Sequence, residues 1–112
     1  MKELLAKVKI YEDDPNELSK ILLEATSRLY YLGNEQHQAN LDYATNVVAE
    51  LNKFNEGGKK PSVAEAERRA EVLTEGKVDK IRYERESLQE LINAIKTRLR
   101  ILESEIILQP NN

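Results

Sequence analysis

The chain of 112 residues contains no cysteine and no tryptophan, and it has only one histidine, one phenylalanine, three prolines and four glycines. The absence of cysteine excludes disulfides, thiolate nucleophiles and zinc sites that use sulfur, and it agrees with a reducing compartment, so we expect the cytoplasm. Because bulky aromatic residues are scarce, there is little material for a globular core. The scarcity of glycine and proline favours long helices over sheets.

The sequence also lacks a long apolar run and a strong charge of either sign. No apolar stretch approaches the roughly 20 residues needed to span a bilayer, and mixed charges follow Met1, so we expect neither a membrane span nor a signal peptide. The formal net charge of −3 is too small to indicate a general affinity for nucleic acid. An electrostatic partner would have to be bound by a local cluster of charges.

What the sequence does have is a helical repeat. Apolar residues recur in steps of three and four from Val78 to Ile106, interrupted only by Arg85, and this period of about 3.5 residues predicts a helix covered by another helix. Charged residues make up 33% of the chain, as is typical of long solvated helices. We therefore predict an all-α fold. It is a single domain over residues 1–112, a long, coiled-coil-like antiparallel helical hairpin with a short N-terminal helical segment.

Capping and turn residues predict where the helices begin and end. Capping boxes at residues 14–17 and 62–65 mark two helix starts, and the two glycines and the proline of residues 57–61 mark a turn. Residues 1–11 fit either a short helix or a strand, and we favour the helix. The predicted segments are an N-terminal segment (1–12), helix one (15–55), a turn (56–61) and helix two (62–108), with a kink, phase change or short break near Gly76. One face of the first part of helix two carries Val63, Ala66, Ala70 and Leu73.

The open end of the predicted hairpin has more apolar residues than two helices bury. Because each helix of a hairpin hides one stripe, the surplus must be covered by the N-terminal segment, by a second copy of the chain or by a partner. We predict a homo-oligomer, with a dimer favoured, that assembles into a helical bundle through this end. The predicted interface residues are Ile21, Leu23, Tyr30, Tyr31, Leu91, Ile101, Ile107 and Leu108.

The turn and the first part of helix two concentrate positive charge. The glycines, lysines and serine of residues 57–62 lack the spacing and the upstream strand of a phosphate-binding loop, so we do not expect a nucleotide site. We interpret the basic residues as a surface that binds another protein or, alternatively, the phosphates of DNA or RNA. They are Lys59, Lys60, Arg68, Arg69, Lys77, Lys80 and Arg82.

The sequence contains no recognisable catalytic, cofactor or metal-binding motif. His37 is the only histidine, and no acidic residue lies three or four positions from it, which excludes a di-iron site built on two Glu-x-x-His pairs. A triad of serine, histidine and acid would also lack its strand-to-helix elbow. We therefore predict a non-enzymatic protein that needs no cofactor.

Two segments resemble a known class of proteins. Ser27-Arg28-Leu29-Tyr30-Tyr31-Leu32-Gly33 leads into a polar helix, and Ser62-Val63-Ala64-Glu65-Ala66-Glu67 leads into a long charged helix. This pattern resembles small helical-hairpin accessory proteins of tailed bacteriophages and covers most of the chain. The resemblance implies a protein of the host cytoplasm that acts as a scaffold or inhibitor by binding another protein, or one that acts on nucleic acid in replication or recombination. It implies no particular functional residues.

Overall fold

The computed structural model describes residues 1–55 and 57–108, with side chains up to residue 105. This part of the chain is all-α, as predicted, and the order of its helices is that of a long helical hairpin. The N-terminal segment is α1 (Lys2–Ile10) and the first arm is α2 (Pro15–Leu51). The second arm consists of α3 (Val63–Leu73) and α4 (Lys77–Leu108). No helix among the described residues is long and apolar enough to cross a membrane.

The starts of α2 and α3 are capped by the residues that the sequence pattern indicates. Oδ1 of Asp14 accepts hydrogen bonds from the backbone N–H groups of Asn16 at 3.1 Å and Glu17 at 3.2 Å. Oγ of Ser62 accepts from the N–H of Glu65 at 3.2 Å. These amides have no partner within their own helix, so the caps satisfy donors that would otherwise be unpaired.

The turn after α2 begins earlier than predicted, because α2 ends at Leu51 rather than near residue 55. The N–H of Asn55 donates to the carbonyl of Lys59 at 2.6 Å, and the N–H of Gly58 donates to the carbonyl of Asn55 at 3.0 Å. Gly57 and Gly58 have φ angles of 91° and 80°, a region that favours glycine. The two glycines therefore allow the tight reversal that the sequence indicates.

Helix two is broken between α3 and α4, as the phase change near Gly76 predicts. The N–H of Gly76 donates to the carbonyl of Glu71 at 3.0 Å, and the N–H of Glu75 donates to the carbonyl of Val72 at 3.1 Å. This pair of bonds is a Schellman motif, which ends a helix with a residue in the left-handed conformation. That residue is Glu75, with a φ of 57°, and Gly76 follows with a φ of 62°.

Contacts divide the chain into two compact units, which we describe separately. Unit 1 consists of Met1–Tyr31 and Glu84–Asn112, and unit 2 consists of Leu32–Tyr83. The single domain over residues 1–112 stays a prediction.

The core of unit 1 contains side chains from α1, α2 and α4. The buried apolar residues of this unit are Leu4, Leu18, Ile21, Ala25, Leu88, Leu91, Ile92, Ile95 and Leu102. Ile21 and Leu91 are 4% and 6% exposed, so these two predicted oligomer-interface residues belong to the interior of the unit instead. Ile21 lies three residues after Leu18 and four before Ala25, and Leu91 lies three residues after Leu88 and four before Ile95, so both belong to the buried stripes of α2 and α4. Leu4 of α1 is buried in the same unit.

Polar contacts attach α1 and the segment after it to the rest of unit 1. Nζ of Lys7 lies 3.5 Å from Oε2 of Glu24, which joins α1 to α2. The guanidinium of Arg98 on α4 donates to the carbonyl of Glu12 at 2.8 Å and to the carboxylate of Asp13. The short connection between α1 and α2 is therefore held against α4.

Within unit 1, α4 runs antiparallel to α2. Arg28 pairs with Glu84, whereas Asp13, just before α2, pairs with Arg98 further along α4. If helix two were unbroken, pairing residues that lie equally far from the turn along the two arms would place Leu29 opposite Leu88. The observed pairs are displaced from that register by about one helical turn or more.

Unit 2 has a core of smaller side chains. Its buried apolar residues are Leu32, Ala39, Ala66, Ala70 and Ile81. Both buried residues of α3 are alanines, whereas Val63 and Leu73, predicted on the same face, are exposed. Alanines allow close approach of α3 to its neighbours but remove little apolar surface from water. The larger aliphatic side chains of α3 consequently stay at the surface.

Candidate functional site

All seven predicted basic residues lie in unit 2, and all of their side chains are exposed. Residues 32–83 contain eight lysines and arginines against nine aspartates and glutamates, so the unit as a whole is not basic. Its ability to bind an anion therefore depends on which cations already have carboxylate partners.

The guanidinium of Arg69 forms a hydrogen bond and ion pairs with other residues of unit 2. Its Nη2 donates to Oδ1 of Asn55 at 2.7 Å. Its Nη1 lies 3.9 Å from Oε2 of Glu50, and its Nη2 lies 4.0 Å from Oε2 of Glu65. The guanidinium thus connects the end of α2, the turn and α3, and we assign Arg69 a structural role.

Glu50 is a buried carboxylate beside that guanidinium. The residue is only 5% exposed, although it lies in the last turn of α2. Nζ of Lys53 donates to its Oε1 at 2.7 Å, while Arg69 faces its Oε2. A buried carboxylate needs such partners, since removing one leaves an uncompensated charge.

Two other predicted cations have contacts close to them in sequence. Nη2 of Arg82 lies 3.0 Å from Oδ1 of Asp79, and its guanidinium lies 5.5 Å from the centre of the Tyr83 ring. Nζ of Lys60 lies 5.7 Å from the centre of the Phe54 ring. Exposed contacts of this kind contribute at most about 1 kcal/mol each and leave the cations accessible.

The remaining predicted cations have no ion pair within the described part of the chain. These are Lys59, Arg68, Lys77 and Lys80. Arg68 differs from the other three because its side chain lines a cavity of unit 2.

This cavity, which we call the α3 groove, has a volume of about 490 Å³. Its apolar wall is formed by Val72 and Leu73, which are 76% and 58% exposed. The groove is lined by Glu50, Glu65, Arg68, Arg69, Val72 and Leu73. Because residues four apart on a helix are neighbours, Arg68 lies beside Val72 and Arg69 beside Leu73. The groove thus combines two exposed aliphatic side chains with an arginine that has no ion pair among the residues that the structure describes.

A smaller cavity of about 220 Å³ is acidic. Its lining includes Tyr43, Glu71 and Asp79. Burial raises the pKa of the Tyr43 phenol above its ordinary value of 10.0, and the negative charges of Glu67, Glu71 and Asp79 raise it further. Among the described residues, no three histidine, aspartate or glutamate side chains form a group that could hold a metal ion.

The predicted oligomer-interface residues have different environments in unit 1. Leu23, Tyr30, Tyr31 and Ile101 are exposed, whereas Ile21 and Leu91 are buried as described above. The side chains of Ile107 and Leu108 lie outside the described residues. Leu23 and Tyr30 are two turns apart on the same side of α2, so they form an exposed apolar pair.

Sequence reasoning missed the two aliphatic residues of the α3 groove. Leu73 was assigned to the buried face of helix two, and Val72 was not considered. A helical projection of residues 63–73 provides the missing signal, because Val72 lies opposite the buried Ala70 and Arg68 lies near Val72.

In comparisons with known proteins, no family model matches this chain, and neither a curated protein nor a solved structure matches it.

Proposed function

We propose that this protein is a non-enzymatic helical interaction module that binds another protein through the α3 groove. One observation carries the proposal: Val72 and Leu73 are exposed on the wall of a cavity of about 490 Å³, beside Arg68. Aliphatic side chains next to a concave surface provide apolar area for a partner to cover, and a neighbouring charge adds specificity.

The contacts of the two acidic residues in the groove support binding rather than catalysis. Glu50 pairs with Lys53 and Arg69, and the Glu65 carboxylate accepts from Nδ2 of Asn55 at 3.5 Å. These contacts hold α2, the turn and α3 together. A pair of carboxylates engaged in this way is suited to shaping a surface rather than to transferring protons.

We further propose self-association through unit 1. Leu23 and Tyr30 form an exposed apolar pair on α2, and Tyr31 and Ile101 add exposed apolar area elsewhere in the same unit. These residues belong to unit 1, whereas the α3 groove belongs to unit 2. The role as scaffold or inhibitor, and the cytoplasm of a bacteriophage host as its place, follow only from the resemblance described above.

Binding of DNA or RNA is the second candidate function. The observation that favours it is the set of exposed cations that have no ion pair with another described residue, Lys59, Lys60, Arg68, Lys77 and Lys80. Phosphate contacts of this kind predict an affinity that falls steeply as salt is raised. The nine acidic residues of unit 2 oppose this function, because their negative charges repel phosphates.

Site-specific photocrosslinking tests the proposal. A photoreactive amino acid replaces Val72 in one variant and Glu86, an exposed residue of unit 1, in the matched control. In extract of the source cells treated with nuclease, we expect a discrete protein adduct at position 72 and none at position 86. Equal labelling at both positions, or adducts that appear only without nuclease, would overturn the proposal, and the second of these results would favour nucleic-acid binding.

A further inference from the structure

We infer that the partner segment bound by the α3 groove is an acidic amphipathic helix. Such a helix carries apolar residues one turn apart on one face and an aspartate or glutamate beside them. This inference rests on the proposed function, and it adds the chemistry of the partner.

Charge balance at the groove points to an anionic partner. Arg69 lies within 4.0 Å of Glu50 and Glu65, and Lys53 donates to Glu50. The negative charges of the two carboxylates are therefore balanced by the positive charges of Arg69 and Lys53. Arg68 remains, and its guanidinium has no ion pair among the described residues. A carboxylate is the natural partner of this group, because arginine donates two parallel hydrogen bonds to it.

The position of the apolar wall points to a helical partner. Val72 is one turn from Arg68, and Leu73 is one turn from Arg69, so the lining repeats with the period of a helix. From residue 65 to residue 73 the groove follows α3 for about 12 Å at 1.5 Å per residue. Two apolar residues one turn apart on a partner helix cover about 5.4 Å of this length, and an acidic residue one further turn along extends the contact to about 11 Å, where it reaches Arg68.

Other partners fit the groove less well. A basic helix would bring its cations toward Arg68. Nucleic acid would bring phosphates toward Glu50 and Glu65, and the aliphatic side chains of Val72 and Leu73 provide no aromatic surface on which bases stack.

Binding of designed peptides to the full chain tests the inference. Three fluorescent helical peptides of roughly 15 residues are compared by anisotropy at low salt. The first has leucines one turn apart flanked by glutamates, the second has lysines in place of the glutamates, and the third has serines in place of the leucines. We expect the first peptide to bind at least about tenfold more tightly than either of the others.

Charge reversal in the protein identifies the residue responsible. Arg68→Glu should weaken binding of the acidic peptide by about tenfold or more and strengthen binding of the lysine peptide. Lys80→Glu makes the same change of charge in the same unit, outside the groove lining, and should leave both affinities nearly unchanged. Because Arg68 is exposed and forms no ion pair within the described residues, the circular dichroism spectrum should be the same for both variants.

Three results would overturn the inference: equal binding of the acidic and lysine peptides, equal effects of the two charge reversals, or self-association that Arg68→Glu abolishes. The last would make a second copy the occupant of the groove. A discrete adduct at position 72 without binding of the acidic peptide refutes this inference and leaves the proposed function intact. The absence of both refutes the proposed function as well.

Discussion

Arg68 and Arg69 are adjacent and identical in type, yet unit 2 uses them differently. Arg69 contacts Asn55, Glu50 and Glu65, whereas Arg68 lines the groove without an ion pair in the described chain. The sequence indicates a basic cluster and treats both residues as one binding surface. It does not separate their roles, because successive residues point about 100° apart on a helix and the buried carboxylate comes from α2.

This difference predicts a larger loss of stability for one alanine substitution than for the other. Arg69→Ala should lower the free energy of unfolding by about 1 kcal/mol, because the buried carboxylate of Glu50 loses a cation. Arg68→Ala should change it by less than about 0.5 kcal/mol. Urea denaturation measures both. Equal losses of stability in the two variants would contradict the structural role of Arg69.

Tyr43 predicts a dependence on alkaline pH. Its pKa is raised by burial and by Glu67, Glu71 and Asp79, so the folded chain disfavours the phenolate more than the unfolded chain does. The stability that Tyr43 contributes is complete below pH 10.0 and is lost as the pH rises toward the raised pKa.

Absorbance titration of the five tyrosines measures this effect. Tyr43→Phe should remove the component of the titration that ionises at the highest pH, whereas Tyr30→Phe should retain it. An unchanged high-pH component in Tyr43→Phe would show that the raised pKa belongs to another residue.

At the scale of elements, the helix starts and the break in helix two were predictable. Asp14 and Ser62 cap α2 and α3, and the break lies where the apolar stripe changes phase. The sequence pointed to Gly76, but the residue directly after the cap is Glu75. Glycine is the usual residue at that position, so a glutamate there is difficult to recognise from sequence alone.

The left-handed conformation of Glu75 predicts that glycine stabilises the break. A non-glycine residue in this region costs about 1 kcal/mol, so Glu75→Gly should raise the free energy of unfolding by up to that amount. Glu71→Gly is the matched control, since Glu71 is exposed within α3, and it should lower stability by about 0.5–1 kcal/mol.

Urea denaturation of the two variants distinguishes these effects. If Glu75→Gly destabilises the chain as much as Glu71→Gly does, the conformation assigned to Glu75 is wrong.

At the scale of the whole molecule, the helical repeat predicted the all-α hairpin but not how its apolar residues are distributed. Ile21 and Leu91 were assigned to an oligomer interface, whereas unit 1 buries them. A heptad pattern shows that a stripe must be covered, but it does not show whether α1 or a second chain covers it. Counting residues back from the turn through an unbroken helix two gives a register that differs from the observed α2–α4 pairs by about a turn or more.

Self-association through unit 1 has a direct test in the solution mass. Light scattering over a concentration series should show a dimer, and the combined substitutions Leu23→Ser and Tyr30→Ser should convert it to a monomer, because both side chains are exposed on one side of α2. Val48→Ser removes an exposed apolar side chain from unit 2 and should leave the mass unchanged. A monomer at every concentration of the unaltered chain would refute the dimer.

The glycine turn after α2 has a practical consequence for labelling the protein. Gly57 and Gly58 are exposed, and apart from the residues next to each in the chain, no described residue lies within 4 Å of where a Cβ would stand on either glycine. Because each doubling of loop length costs only about 0.6 kcal/mol, a peptide epitope or fluorophore sequence inserted between these glycines should be tolerated. The protein can thus carry a reporter at an internal position, with both chain termini unmodified.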